Sequence, residues 1–402
     1  MAKHLVVYSL IHQPRRVRLP ARPIEAGASP ADMAELLFDP ELDKHYLDVI
    51  GKWCYHPAAQ AWSDMLDDGM KLGIGFSLSV LRQFEKWDPP LLARFQKLVA
   101  KPGAELIGVT PYHGTSLLFS LSDFIDLMRL AGDGLHAHFG VRPTVTDTTE
   151  MMMSSDIYRA IHEAGFSGAF MDGRPWVMQW RSAAHLYHAG LPVKLLTRHF
   201  DLSNDVGYRF SNHSWDGWPL LADEYARWID ETPGDLVTLA WDLETFGHHH
   251  NHGTGIFEFL RALPAALRKR GITSLLPSEA IEYFGPRSHQ IPLPPFPVTW
   301  AGASGSMDFF LGNRQQQAVF RLMITALNKA RLTGDEDLVD IALWLSQSDN
   351  LHWLQAINAT GSEAEVSAYF TPVSWRHLGL DQMVWEHQCV YKNSINALDD
   401  YR

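Results

Sequence analysis

Up to residue 289 the chain alternates short apolar or β-branched runs with longer stretches of helical periodicity. Leu5–Leu10, Met70–Ser77, Ala104–Thr110, Val141–Thr149 and Phe166–Asp172 read as strands, as do part of Ala184–Phe200, then Leu236–Trp241 and Ile272–Leu276. Leu236–Trp241 is a short apolar and β-branched run, which is how a strand buried in a parallel sheet reads. Between them, Val80–Ala100 (broken at Pro89-Pro90), Ser122–Phe139, Met151–Ala164, Ala222–Glu231 and the stretch after Gly255 carry amphipathic helix patterns. Leu202–Ser211 reads as a polar loop. The count predicts about seven β/α units, an α/β chain folded as an incomplete TIM-like barrel.

The proline-rich stretch 290–297 cannot be helical and reads as an extended connector. Beyond it, Ser306–Leu332, Asp335–Ile357 and Ser374–Leu398 recover helical periodicity. Three regions are therefore expected: a barrel over 1–289, a connector over 290–297 and a helical C-terminal domain over 298–402.

With 46% hydrophobic and 20% charged residues, the 402-residue chain has the composition of a globular protein with a sizeable core. A net charge of −12 argues against nucleic acid or an anionic membrane as partner. Two cysteines, Cys54 and Cys389, provide neither a disulfide framework nor a cysteine metal site. The N-terminus lacks a secretion-signal pattern and no span approaches the roughly 20 apolar residues of a membrane helix, so a cytoplasmic location is expected. Fourteen tryptophans and twelve tyrosines suit both packing and flat platforms for sugar rings.

Candidate chemistry gathers where the runs end, because in parallel barrels the loops leaving the carboxyl ends share one crevice. Asp242 and Glu244 follow Leu236–Trp241; they are either catalytic acids or turn caps. His12 and Gln13 follow the first run, with His12 either in the site or satisfying a core hydrogen bond. Glu105, Tyr112 and His113 accompany the third. Glu150 closes the fourth, as a strand-end acid or a residue at a helix N-terminus. Asp205 and Arg209 either pair structurally or line the site. His248, His249, His250 and His252 admit a metal reading beside Asp242, but adjacent residues of an extended segment point oppositely, so only alternate histidines, His248, His250 and His252, reach a common ion.

Taken in order, His12-Gln13-Pro14, Glu105 to His113, Thr149-Glu150, and Asp242-Leu243-Glu244-Thr245-Phe246-Gly247 resemble the motifs of glycoside hydrolase family 57, particularly its α-amylases. Trp300-Ala301, Leu311–Gln316 and Gln347-Ser348-Asp349 resemble its helical domain. The resemblance implies a (β/α)7 barrel with a helical bundle, and retaining hydrolysis of α-1,4-glucans. It implies Glu150 as nucleophile and Asp242 as general acid/base, with no cofactor and no catalytic metal. His12, Gln13, Glu105, His113, Asp205, Arg209, Glu244, His248, Trp300 and Asp349 become the expected substrate contacts. Independently, a retaining glycosidase needs two carboxyls about 5 to 5.5 Å apart, one to attack and one to give and take the proton. Nearby acids, Glu150 and Glu244 among them, are expected to raise the pKa of Asp242 by like-charge repulsion. Two positions depart from the family pattern: His248 replaces a glutamate and Asn350 a histidine, both at expected sugar-binding places. Three alternatives stay open: a 4-α-glucanotransferase or other α-glycosidase on the same site, an α-glucan-binding protein with little catalysis, and a metal-dependent carbohydrate hydrolase built on the histidine run.

Overall fold

A computed structural model describes residues 2–357 and 371–401, which cluster into two compact units. The first comprises Met1–Gln13, Tyr46–Pro111 and Ser122–Trp300. Its strands are β1 (His4–Ile11), β2 (Leu72–Phe76), β3 (Ala104–Ile107), β4 (Val145–Thr146), β5 (Gly168–Gly173), β6 (Leu186–His188), β7 (Lys194–His199), β8 (Leu236–Asp242), β9 (Thr273–Ser274) and β10 (His289–Gln290).

Seven of them close a ring of parallel neighbours, β8-β1-β2-β3-β4-β5-β7 and back to β8. Two joints are narrow. Between β3 and β4 the closure is a parallel bridge, Gly108 with Thr146, where Asp147 N–H donates to Gly108 O at 2.7 Å. Between β7 and β8 only Arg198 and Thr238 are in register. The antiparallel strand β6 and its neighbour β10 lie outside the ring, and β9 pairs with the first residues of β1.

The period-2 geometry of a strand divides the apolar residues between two cores. Val6, Tyr8 and Leu10 of β1 join Leu236 and Ala240 of β8, Phe170 of β5 and Leu196 of β7 in one cluster, which fills the ring. Leu5, Val7 and Ile11 join Val237, Leu239 and Trp241 in the other, packed beneath helices such as His56–Asp67 and Ile256–Lys269. Both halves of each strand are thus buried, as the uninterrupted apolar runs require. Tyr8 can lie across the interior because β2 carries glycine opposite it: a Cβ on Gly75 would stand 2.8 Å from the Tyr8 hydroxyl.

Several elements differ from the sequence reading. The apparent loop Leu202–Ser211 is largely a helix, Phe200–Gly207. Its polar residues are buried with partners, Asn204 Oδ1 accepting from Arg198 at 2.7 Å and Asp205 from Arg209 at 2.7 Å, so their polarity does not mark exposure. Val80–Ala100 is two helices, Leu78–Trp87 and Pro89–Val99, with Asp88 capping the second through Leu91 N–H at 3.1 Å. The stretch 290–297 is extended, with Ile291 N–H bonded to His188 O and Ser155 N–H to Pro294 O.

The second unit is discontinuous: Pro14–His45 and Tyr112–Leu121 group with Ala301–Arg402, although a single cut at 290–297 assigns them to the barrel. The two excursions are tied in by hydrogen bonds a linear reading does not contain, including Arg15 N–H to Gln347 Oε1 at 2.9 Å and the bridge Gly114 with Gln347. Its helices Arg314–Thr333, Glu336–Leu345 and Leu380–Ala397 pack together around Val319, Met323, Ile341 and Val390. The first begins with a capping box: Gln316 N–H donates to Asn313 Oδ1 and Asn313 N–H to Gln316 Oε1.

Candidate active site

Acids and bases collect at the carboxyl ends of β1, β4, β5, β7 and β8. Glu150 leaves β4 in a tight turn whose backbone is left-handed at φ 54, ψ 33, so it is not the first residue of a regular helix; Ser154 caps that helix, Ser155–Glu163. Such a conformation persists in a non-glycine residue only where its surroundings hold it. Here the extended pair Thr299-Trp300 does so. Thr299 Oγ1 and Trp300 N–H donate to Glu150 O at 2.6 and 3.3 Å, and the Trp300 indole N–H donates to Glu150 Oε2 at 2.7 Å.

Asp242 is the last residue of β8 and, by the alternation that puts Ala240 in the barrel interior, faces inward. Two buried carboxyls flank it. Asp147 accepts from the Tyr8 hydroxyl at 2.9 Å and from Thr148 N–H at 2.8 Å, and burial, with a smaller contribution from the charge of Asp242, raises its pKa to about 8. Glu244 accepts from the Tyr55 hydroxyl and from Gln13 Nε2 at 3.2 Å; burial first, then the charge of Asp242, pushes its pKa well up. Both therefore hold protons at neutral pH. Tyr55 reaches Glu244 from a π-helical turn, Gly51–Tyr55.

A buried cationic cluster completes the rim. Asp172 on β5 stands 2.9 Å from both Arg174 Nε and Arg198 Nη1, and all three side chains are almost wholly buried. Tyr208 lies in the field of both sides of the site. Its surface is 62% exposed, yet protein packed around the phenol raises its pKa; Arg198, Asp242, Glu150 and Arg174 then act on it, in falling order. Glu150 and Asp242 are carried by different strands, and the charge of each acts to raise the Tyr208 pKa.

Two carboxylates on separate strands of a parallel barrel, with neutral acids and cations around them, are suited to glycosyl transfer. The sequence matches Glycosyl hydrolase family 57 across residues 11–294. The chain belongs to this family. As a family 57 protein it is a glycosidase. A protein of Methanocaldococcus jannaschii described as "Putative alpha-amylase" is 29% identical over 372 residues, 90% of this chain and 78% of that one. The fold is shared with a family 57 branching enzyme of Pyrococcus horikoshii (TM-score 0.67, 14% identity, 98% and 97% of the two chains). It is also shared with the α-amylase AmyC of Thermotoga maritima (TM-score 0.57, 10% identity, all of both chains), and with 4-α-glucanotransferase of Thermococcus litoralis (TM-score 0.58, 14% identity, 99% and 60%).

The remaining expected contacts of this family 57 chain divide. Gln13, Glu244 and Trp300 join the strand-end cluster through the bonds already given. His12, half-buried, bonds Ser77 Oγ at 2.8 Å beside them. Glu105 is a correction: it sits in the amino half of β3, where its carboxylate accepts from Ser278 N–H and Oγ at 2.8 and 2.9 Å. It caps the helix Pro277–Phe284, which plugs the amino end of the barrel, opposite the site. Asp205 and Arg209 pair with each other, and Arg209 also donates to Asp201 O. His113 and Asp349 belong to the second unit, where the His113 ring meets Ser348 Oγ at 3.2 Å. Asn350, expected at a sugar-binding place, is instead turned into that unit's core, donating to Leu345 O at 3.1 Å.

The histidine run does not converge. His250 uses both ring nitrogens: only a donor suits the Gly207 carbonyl at 3.1 Å, so Nε2 carries the proton and Nδ1 accepts from Ser211 Oγ at 2.7 Å. His252 turns away to Trp53 O at 3.0 Å. His248 remains half-buried near the site with burial lowering its pKa, a neutral ring beside Glu244, whose carbonyl its N–H reaches at 3.3 Å.

Sequence reasoning passed over Tyr8, Tyr55, Asp147, Asp172, Arg174 and Arg198. One signal was available: Asp172 and Arg198 are charged residues that end otherwise apolar runs, the same mark that singled out Asp242.

Proposed function

We propose that this protein cleaves α-1,4-linked glucans with retention of configuration, Glu150 attacking the anomeric carbon and Asp242 serving as general acid and then base. The observation that carries the reading is the chain of contacts from Glu150 through the Trp300 indole N–H, at 2.7 Å, to Arg198, which lies 5.6 Å from the Trp300 ring and donates at 3.0 Å to Ala240 O on the strand that ends at Asp242. The relatives support the substrate class, α-glucans: they include a branching enzyme, a 4-α-glucanotransferase and amylases. In the first step the Glu150 carboxylate forms an ester to C1 while the Asp242 proton passes to the departing oxygen. In the second, Asp242 takes a proton from water, whose oxygen displaces Glu150. Trp300 orients the attacking carboxylate through its N–H. Asp147 and Glu244 are the buried carboxyls whose protonation responds to the charge of Asp242.

The test follows maltoheptaose cleavage by proton NMR in chelator-treated protein. An α-anomer appearing first is expected, with kcat/KM falling at least about 10³-fold in Glu150→Gln and Asp242→Asn. A β-anomer appearing first, or activity that survives both substitutions, would overturn the proposal. Oligosaccharides longer than the substrate would show that a sugar hydroxyl competes with water for the same covalent intermediate.

A further inference from the structure

Asp172, Arg174 and Arg198 do nothing in the reaction just described, yet they are the most deeply buried ionic group near it. Two guanidinium groups against one carboxylate leave a net positive charge in the protein interior, an arrangement costly unless every donor is used. Several of these donors go to particular partners. Arg174 Nε donates to Thr299 O at 3.1 Å and its Nη2 to Trp300 O at 2.6 Å. Those two residues are the ones that hold Glu150 through Thr299 Oγ1, Trp300 N–H and the Trp300 indole. Arg198 Nε donates to Ala240 O at 3.0 Å, two residues before Asp242 on β8, and its Nη2 to Asn204 Oδ1. Its guanidinium also lies 5.6 Å from the centre of the Trp300 ring. The β7–β8 joint has one residue pair in register, so Arg198 supplies much of what fixes that seam.

We infer that Asp172, by joining Arg174 to Arg198, positions the nucleophile relative to the acid/base. One arm runs from Arg174 through Thr299-Trp300 to Glu150; the other runs from Arg198 through β8 to Asp242. Neither arginine contacts the reacting atoms in this scheme. Both are positioning residues, and a planar fork is required at each because it serves two acceptors in fixed directions, which an ammonium group cannot. A displacement of about 1 Å in an attacking group lowers a rate by about 10²-fold, so the arms act on the chemical step more than on binding.

The inference rests on Glu150 being the nucleophile, and the experiment separates the two. The probe is 5-fluoro-α-D-glucosyl fluoride: the Glu150 oxygen bonds to C1, the C1–F bond breaks, and fluoride leaves without needing a proton from Asp242. Peptide mass mapping of the labelled wild-type protein is expected to find the sugar on Glu150; a label elsewhere would overturn the reading and the inference with it. With the label on Glu150, Arg174→Lys and Arg198→Lys are expected to label at least about 30-fold more slowly at saturating probe, with the inactivation constant Ki within about threefold of wild type. A purely structural role would lower Tm without this split. Where a lysine variant does not melt cooperatively, Thr299→Val, which deletes one hydrogen bond to Glu150, is expected to label about tenfold more slowly. Labelling within twofold of wild type in any of the three as a folded protein would remove the inference while leaving Glu150 as nucleophile.

Discussion

Replacing Asp147 by asparagine tests the account of the barrel interior. Asp147 is fully buried, its hydrogen bonds go to Tyr8 and Thr148, and its pKa is raised to about 8, first by burial and then by the charge of Asp242. Unfolded, it titrates near 3.8. Between those values the folded chain keeps a proton that the unfolded chain has lost. Unfolding then releases a proton, so this group's stabilisation is complete below pH 3.8 and is lost as pH rises towards 8. Each pH unit in that window is worth about 1.4 kcal/mol, so from pH 5 to pH 8 the wild-type protein loses about 3 to 4 kcal/mol through this one carboxyl. Asparagine has the shape of the protonated acid: its oxygen can accept from Thr148 N–H, and its amide can donate to the Tyr8 oxygen. Asp147→Asn is therefore expected to be near wild type in stability at pH 5 and to outlast it at pH 8. Urea unfolding of both proteins at half-unit intervals, followed by tryptophan fluorescence, measures the difference. Parallel curves, with the gap constant to about 0.5 kcal/mol, would mean that Asp147 is ionised in the native barrel and that its burial does not control its charge.

Three further outcomes are expected. Glu105→Ala removes a cap at the amino end of the barrel and should cost about 1 to 2 kcal/mol in urea unfolding while leaving kcat and KM on maltoheptaose within about twofold; a large loss of activity would return Glu105 to the site. Phe170→Ala leaves a cavity beneath the Tyr8 ring, stacked on it at 4.3 Å, and should destabilise by about 3 to 5 kcal/mol in the same assay; a cost below 1 kcal/mol would show that the ring is not tightly packed there. His250→Ala frees Ser211 and Gly207, and should lower activity by loosening that loop, with zinc binding in equilibrium dialysis the same as in wild type; zinc retained only by wild type would contradict the use of both His250 nitrogens.

Much of the barrel was legible because its rules are local. A strand covered on both faces is predominantly apolar, with any polar group hydrogen-bonded inside, so runs such as Leu5–Leu10 and Leu236–Trp241 declare themselves, and an acid that ends such a run declares the edge of the core. Glu150 and Asp242 drew notice as acids at such ends, their roles coming from the family resemblance, and the same runs gave about seven β/α units. Charge pairing between distant residues is not local. Whether Asp205 and Asn204 formed a loop or a buried helical face depended on Arg209 and Arg198, and whether Glu105 faced the site or the opposite end depended on which half of a four-residue strand it occupied. The discontinuity of the second unit was hidden for the same reason, since its early segments are held by Gln347, more than 200 residues later. The left-handed turn at Glu150 likewise reflects Thr299 and Trp300, far along the chain, and not any preference of glutamate. Protonation is the furthest from the sequence: Asp147 and Glu244 are ordinary carboxyls in isolation, and only the water excluded by the folded barrel, together with the neighbours each retains, raises their pKa values.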